Sequence, residues 1–430
     1  MRCSSSSRLP PSPRSPSRAR SRPVAALIAA ALAATVFAAT VLVHTQAADE
    51  ADPQLTASAL LEEALRSGPN HSVTEAVRTP GHYHVFTVAS PFGTFEAEGT
   101  AQVAVRIQEV TALAALHELS RAGVFARSAG ESLVKVGTGV VGVVSDPVGT
   151  AQGIGDGVKR FGVNLGRRTK RAVDRLTAAD ETSGGDAGGG NPAASAAKSI
   201  IGINSARRRW AQRVGADPYT ANPVLREALE RVAAVDVAGA MAAKVAVPIP
   251  ALVGTTADVG QLVWGRDPEE LRKLNEARAR DAGASQDGAR AFFRSRAFTL
   301  TMQTRLVAAL HAVTVPGCGD YLETAAEAAD GREALFFVES AELLQRHHET
   351  SRVVAVLTDS RAMVARMPSG EAVALLPLDW VRASAATTAE FRELGRRAGE
   401  ELEATSLRLR VTGTVTEQGA VALGAAGWRQ

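Results

Sequence analysis

Residues 351–376, SRVVAVLTDSRAMVARMPSGEAVALL, decide the fold class of this 430-residue chain. The stretch contains three short runs rich in Val, Ala and other apolar residues, and clusters of turn-forming residues separate them. Apolar runs of this length between such clusters are typical of strands joined by tight turns. We therefore predict a three-stranded meander, with strands over residues 351–357, 361–367 and 371–376.

Helices are predicted on both sides of this meander. Downstream, residues 388–404 are amphipathic, residues 406–412 alternate as a strand does, and Thr416 is placed to cap a final short helix. Upstream, apolar residues recur at helical spacing, and Asn222 and Asp267 each precede a proline, which is favoured at the first helical position. The upstream helices are predicted over residues 223–243, 268–280 and 287–314.

A smaller α+β unit is predicted nearer the N-terminus. Residues 71–99 have the pattern of extended segments with a turn at residues 90–93, and their alternation places apolar side chains on both faces. One face must therefore be covered, and the helix predicted over Thr100–Arg121 is the natural cover.

The predicted fold class is α+β and helix-dominated, with a small N-terminal α+β unit, a central helical region and a C-terminal β meander with helices. Only 4% of the residues are aromatic, so the core must be built mostly from Ala, Val and Leu. The predicted divisions are residues 1–47 (signal peptide or signal anchor), 55–127 (small α+β unit), 128–177 (Gly-rich and basic amphipathic segment), 178–198 (flexible linker), 199–330 (helical region) and 331–430 (C-terminal α+β region).

The N-terminal residues predict export. Six arginines and no acidic residue precede Ala48, and residues 24–43 form an apolar run dominated by Ala. This is the pattern of a secretory signal, and a run of about 20 residues is also long enough to be an uncleaved signal anchor. A transit peptide is a third interpretation. We predict that the protein is exported, and that it is either periplasmic or anchored to the inner membrane by residues 24–43.

Residues 158–176 predict a cationic amphipathic helix. An apolar stripe faces one side, and seven basic residues cover most of the other. Such a helix can lie on an anionic lipid surface, bind an acidic partner, or pack its stripe on the rest of the chain while its charges face water. The residues predicted to contact lipid or a partner are Lys159, Arg160, Arg167, Arg168, Lys170, Arg171 and Arg175.

Two pairs of residues are candidates for chemistry. Cys318 is the one cysteine outside the leader, and it follows His311 by seven residues. The pair could act as a thiolate nucleophile and its base. The alternative is that Cys318 is a small buried apolar residue. His82 and His84 lie on one face of a predicted strand at a spacing that metals use, but no third ligand is near in sequence. A hydrogen-bonded pair is the alternative for these two histidines.

The leading hypothesis is a non-enzymatic protein of the cell envelope whose basic segment contacts an anionic membrane surface or an acidic protein surface. An envelope enzyme with a Cys318 nucleophile is the first alternative, and nucleic-acid binding through the basic segment is the second. The charge distribution argues against the second alternative: outside the leader and residues 158–176 the chain is acidic. Nucleic acid is therefore not expected as a partner. No cofactor or metal is expected either, because the sequence contains no zinc spacing or phosphate-binding loop motif, and the oligomeric state is not specified.

Overall fold

The computed structural model describes residues 50, 52–121, 192–237 and 251–430. Its N-terminal part contains a small sheet and the helix that packs on it. Strands β2 (Ser67–Gly68), β3 (His71–Val73), β5 (Val85–Ser90) and β6 (Gly93–Glu98) form an antiparallel sheet in the order β2-β3-β5-β6. Ser90 pairs with Gly93 across the predicted turn. The segments around this sheet are β1 (Leu55–Thr56), α1 (Ala57–Leu60), α2 (Glu63–Arg66) and β4 (Ala76–Val77).

Helix α3 (Thr100–Arg121) covers one face of this sheet and has the predicted bounds. Phe86 and Val88 of β5 and Val103 of α3 are fully buried and belong to one apolar cluster. The apolar spacing of α3 therefore identified both the helix and the surface that it buries.

The central region is helical, as predicted. Its helices are α4 (Pro192–Val214), α5 (Pro223–Val237), α6 (Ala257–Gly265), α7 (Pro268–Asp281), α8 (Gln286–Arg294), α9 (Leu300–Val313) and α10 (Cys318–Ala325). Asn222 Oδ1 accepts a hydrogen bond from Val224 N at 3.0 Å, and Asp267 Oδ1 accepts one from Glu269 N at 3.0 Å. Both residues thus satisfy backbone donors that a helix start leaves free.

Two boundaries in this region correct the sequence analysis. The single helix predicted over residues 287–314 is wrong: α8 ends before Ser295, and α9 begins after Thr299, whose Oγ1 accepts a hydrogen bond from Met302 N at 3.2 Å. A hydroxyl side chain that caps a helix start competes with continuation of the preceding helix. Helix α4 begins at Pro192, within the segment predicted to be a flexible linker, and residues 178–191 lie outside the described residues.

The C-terminal region contains the predicted meander within a larger sheet. Strands β7 (Ala355–Val356), β8 (Met363–Arg366) and β9 (Glu371–Leu376) are antiparallel, and β11 (Ser406–Val411) and β13 (Trp428–Arg429) extend the sheet in parallel, in the order β13-β11-β9-β8-β7. The other elements are α11 (Gly331–Thr350), β10 (Trp380–Val381), α12 (Ala385–Glu401), β12 (Thr414–Val415) and α13 (Glu417–Ala425), and Thr416 caps α13 as predicted.

Alternate residues of β9 belong to two different cores. Val373 and Leu375 pack with the core formed by α9, α10 and α11, whereas Ala372 and Ala374 pack with α12. Burial on both faces of the strand explains why residues 372–376 form a continuous apolar run. The fold is a helix-dominated α+β fold, as predicted.

The described residues from Glu50 onward belong to one compact unit. The Asp379 carboxylate joins distant parts of it: Oδ2 accepts hydrogen bonds from His84 N at 3.0 Å and from Thr100 N at 3.2 Å. In the described part of the chain, every helix is too short or too polar to cross a membrane. The apolar run over residues 24–43 lies outside that part.

Candidate functional site

A cleft of about 430 Å³ lies where α3, the turn before α5, and the first turns of α9 and α11 meet. Apolar side chains, among them Leu252, Met302 and Phe336, form part of its wall. A concave, partly apolar cavity with a few convergent polar groups is the usual form of a small-molecule site. The charged side chains that line it are Glu96, Glu98, Arg106, Glu109, Asp217, Arg305, Arg332 and Glu339.

Most of these charges are paired. Glu109 is 7% exposed and accepts hydrogen bonds from Arg106 NH1 at 2.6 Å, Thr220 Oγ1 at 2.5 Å and Asn222 Nδ2 at 3.0 Å. These contacts fix the turn before α5 against α3. Elsewhere on the cleft, Glu98 pairs with Arg332 and Glu96 with Arg78, so these carboxylates are already neutralised.

Arg305 forms the most buried ion pair of the cleft. Its Nε and NH2 donate to the two carboxylate oxygens of Glu342 at 2.8 and 2.9 Å, and both side chains are mostly buried. A bidentate pair of this kind holds the guanidinium in one orientation. Arg305 is therefore a fixed charge that Glu342 compensates, so this pair adds little net charge to the cleft.

Asp217 and Glu339 differ from the other carboxylates because their hydrogen-bond donors are neutral. Asp217 Oδ1 accepts from Thr301 Oγ1 at 2.6 Å and from Tyr219 N at 2.8 Å, and Glu339 Oε1 accepts from Gln102 Nε2 at 3.0 Å. No basic side chain of the described residues forms an ion pair with either carboxylate. The cleft thus contains two acidic groups that no cation neutralises by contact.

Burial shifts the titration of both groups. It raises the pKa of Asp217 to about 6, and the nearby Glu109 adds to the shift. Burial likewise raises the pKa of Glu339 to about 7, with Glu342 and Asp379 adding to the shift and Arg305 opposing it. Both carboxyl groups therefore change their charge near neutral pH, where a general acid, a general base or a charge-dependent binding group operates.

Tyr83 adds an unpartnered donor to the same cavity. Its hydroxyl oxygen is buried, and within the described ranges no group hydrogen-bonds to it. Burial raises the pKa of this phenol, and the negative charge of Glu339 raises it further, so the hydroxyl keeps its proton. A buried hydroxyl without a partner is costly, and a bound ligand can satisfy it.

The structure places Cys318 and His311 in different surroundings. Cys318 is fully buried at the start of α10, among the apolar residues of the core, and burial raises the pKa of its thiol. His311 lies in the last turn of α9 and is only part-buried, and no hydrogen bond among the described residues links it to Cys318. These surroundings favour the neutral thiol over the thiolate that a nucleophile requires.

His82 and His84 have different hydrogen-bond partners in the structure. Strand β5 begins at Val85, so the two histidines precede the strand on which they were predicted to lie. His82 Nδ1 donates to Trp380 O at 3.0 Å, and His84 Nδ1 is 2.9 Å from Thr79 Oγ1. Within the described ranges, no group of three or more His, Cys, Asp or Glu side chains is arranged to hold a metal ion.

The predicted lipid or partner contacts, from Lys159 to Arg175, lie outside the described residues. No protein-family model, curated protein or solved structure matches this chain. The cleft must therefore be interpreted from its own chemistry.

Sequence reasoning did not identify Tyr83, Asp217 or Glu339 as site residues. They come from three separate segments, and no short spacing connects them. The one available signal was the stretch DPYTANP, residues 217–223, whose Pro, Asn and Asp residues are typical of a turn, since loops and turns often carry functional side chains.

Proposed function

We propose that the protein is a non-enzymatic binding protein of the cell envelope, and that the cleft holds a small organic cation. The observation that carries the proposal is that Asp217 and Glu339 line one cavity and have neutral hydrogen-bond donors only. Partly buried carboxylates of this kind lack solvation when they are ionised. An ammonium group bound beside either carboxylate would offset this cost.

The remaining lining suits the rest of such a ligand. Phe336 and Tyr83 supply aromatic rings, which attract cations through their faces, and Leu252 and Met302 supply apolar surface for a short carbon chain. The unpartnered Tyr83 hydroxyl offers a further polar contact. A primary amine or diamine with a short alkyl chain matches this combination of charge, size and polarity.

The proposal predicts that binding releases protons below about pH 7. A cation favours the ionised carboxylate, so it lowers a pKa that burial has raised. Because the pKa of Glu339 is about 7 and that of Asp217 about 6, affinity should increase as the pH rises through this range.

Isothermal titration calorimetry of the full-length protein with 1,4-diaminobutane and with ethylammonium at pH 8 tests the proposal. We expect Glu339→Gln and Asp217→Asn each to weaken binding about tenfold or more, since a hydrogen bond to a charged group contributes ~1.5–3 kcal/mol. Glu327→Gln is the matched control, because it removes one exposed carboxylate outside the cleft. Absence of amine binding by the unaltered protein, or equal affinities for all forms, would reject the proposal.

The envelope location is supported by the Arg-rich leader and the apolar run over residues 24–43. For the basic segment we keep the proposal of contact with anionic lipid. Liposome flotation tests it: substitution of Arg167, Arg168, Lys170 and Arg171 by Gln should abolish binding to anionic vesicles. Equal flotation of both forms would contradict it.

A further inference from the structure

A second cavity, of about 530 Å³, lies beside the C-terminal end of α11 and is independent of the cleft. On β11, Arg408 and Arg410 pair with Val373 and Leu375 of β9. Paired residues of neighbouring strands point to the same face of a sheet, so both arginines share the face on which α11 packs. Arg352, which follows α11, lines the same cavity.

These arginines are only partly neutralised. Arg408 Nε forms an ion pair with Glu371 Oε1 at 3.0 Å. Among the described residues, no carboxylate lies within 4.0 Å of the Arg352 or Arg410 guanidinium, and both side chains are exposed. The cavity therefore presents two guanidinium groups that have no anionic partner.

His347 orients one of these groups. Arg410 NH1 donates a hydrogen bond to His347 Nδ1 at 2.9 Å, and because arginine has no acceptor, the imidazole proton must be on Nε2. Burial lowers the pKa of His347, and the Arg410 charge lowers it further, so the ring is neutral at pH 7. A neutral imidazole holds Arg410 in place without adding charge of its own.

The Nε2–H of His347 is a second indication of a ligand. His347 is 8% exposed and lines the cavity, and its Nε2 atom has no hydrogen-bond partner within the described ranges. Buried donors in native proteins are nearly always satisfied, and an unsatisfied one calls for an explanation. A small rotation of the ring that brings Nε2 to the cavity surface would let a ligand oxygen accept this hydrogen bond.

We propose that this cavity binds a dianionic phosphoryl group, with Arg352 and Arg410 as its principal contacts and His347 as the positioning residue for Arg410. Guanidinium groups bind phosphate oxygens with two parallel hydrogen bonds. Two unpaired guanidiniums match the charge of a phosphate monoester near neutral pH better than that of a single carboxylate.

Calorimetric titration of the full-length protein with inorganic phosphate at pH 7.5 and low salt tests this assignment. We expect the double variant Arg352→Gln/Arg410→Gln to bind at least tenfold more weakly, and Arg272→Gln, which removes an exposed arginine on α7, to bind like the unaltered protein. No phosphate binding at millimolar concentration, or equal binding by the double variant, would overturn the proposal. Acetate binding as tight as phosphate binding would overturn the preference for phosphoryl groups.

Two further measurements address separate questions. The first tests whether His347 positions Arg410, and the second identifies the source of the phosphoryl group. His347→Asn keeps an acceptor oxygen near the Nδ1 position and should retain most of the affinity, whereas His347→Leu should lose several-fold; equal effects would contradict the positioning role. Flotation with vesicles containing phosphatidic acid, compared with phosphatidylcholine alone, shows whether a lipid headgroup can supply the phosphoryl group. Flotation that depends on Arg352 and Arg410 would support a lipid source, and its absence alongside phosphate binding would support a free phosphate compound.

Discussion

At the scale of single residues, Glu339 has the clearest consequence for pH dependence. Its pKa is about 7 in the folded protein, above the ordinary value of 4.5, because burial disfavours the ionised form. The folded state therefore binds more protons than the unfolded state between these pH values, and stability falls as the pH rises through this window. We expect Glu339→Gln, which cannot ionise, to gain about 2 kcal/mol more relative to the unaltered protein at pH 8 than at pH 5.

Chemical denaturation of both proteins at the two pH values measures this difference. Comparing the two proteins at each pH cancels the titration of all other groups. Glu327→Gln is again the control, since an exposed carboxylate should give the same small change at both pH values. A Glu339→Gln variant with no pH-dependent gain would show that this carboxyl group titrates normally in the folded protein.

Cys318 supports a second prediction at this scale. The thiol is fully buried, and burial raises its pKa, so little thiolate forms at neutral pH. We expect a maleimide probe at pH 7 to label Cys318 only after denaturation. In a form carrying Cys3→Ser, so that one thiol remains, rapid labelling of the folded protein would restore the possibility of a nucleophilic cysteine.

At the scale of elements, the packing of α10 against the turn at Gly283 depends on close backbone contact. A Cβ atom at Gly319 would lie 2.2 Å from the backbone carbon of Gly283, which cannot move aside as a side-chain end can. We expect Gly319→Ala to destabilise the protein by ~1–3 kcal/mol, the usual cost of overpacking. Gly399→Ala on the exposed side of α12 is the matched control: its Cβ would meet no atom within 4 Å, so the change should stabilise by up to ~1 kcal/mol.

Thermal or chemical unfolding of the two alanine variants measures both effects. Opposite signs would confirm that the packing of α10 on the turn at Gly283, and not glycine content in general, determines the outcome. A stable Gly319→Ala protein would mean that this turn can shift away from α10 at little cost.

Elements with strong local signals could be predicted from the sequence. The apolar spacing of α3, the capping residues Asn222 and Asp267 and the turns of the meander each specify local hydrogen bonds, and local bonds are visible in a single sequence. The break between α8 and α9 was missed because the apolar spacing continues across it, whereas the Thr299 cap depends on one hydroxyl. The parallel addition of β11 to β9 is a long-range pairing with no local signature.

The cleft could not be predicted for a related reason. Asp217, Glu339 and Tyr83 look like ordinary turn, helix and loop residues in the sequence, and only the packing of α3, α9 and α11 brings them to one cavity. Their altered pKa values result from burial, which is a property of the folded chain. Burial has the opposite consequence for Cys318, because it raises the pKa of the thiol and so favours the neutral form.

At the scale of the whole molecule, substitution of Asp379 tests whether the described N-terminal and C-terminal regions unfold together. The Asp379 carboxylate accepts hydrogen bonds from His84 N and Thr100 N, which lie 295 and 279 residues away in the chain, and so it fixes the start of α3 to the C-terminal region. We expect Asp379→Ala to lower the free energy of unfolding by about 2 kcal/mol, because a helix start and a second backbone donor lose their acceptor. Tryptophan fluorescence and far-ultraviolet circular dichroism should still report one coincident transition at a lower denaturant concentration. Asp379→Asn keeps one acceptor oxygen, so its free energy of unfolding should fall less, and Glu327→Ala should leave that free energy almost unchanged.

Two outcomes would contradict this expectation. Two separate transitions in the unaltered protein would show that the unit predicted over residues 55–127 unfolds independently. An unchanged midpoint in Asp379→Ala would show that the hydrogen bonds to Asp379 contribute no net stability.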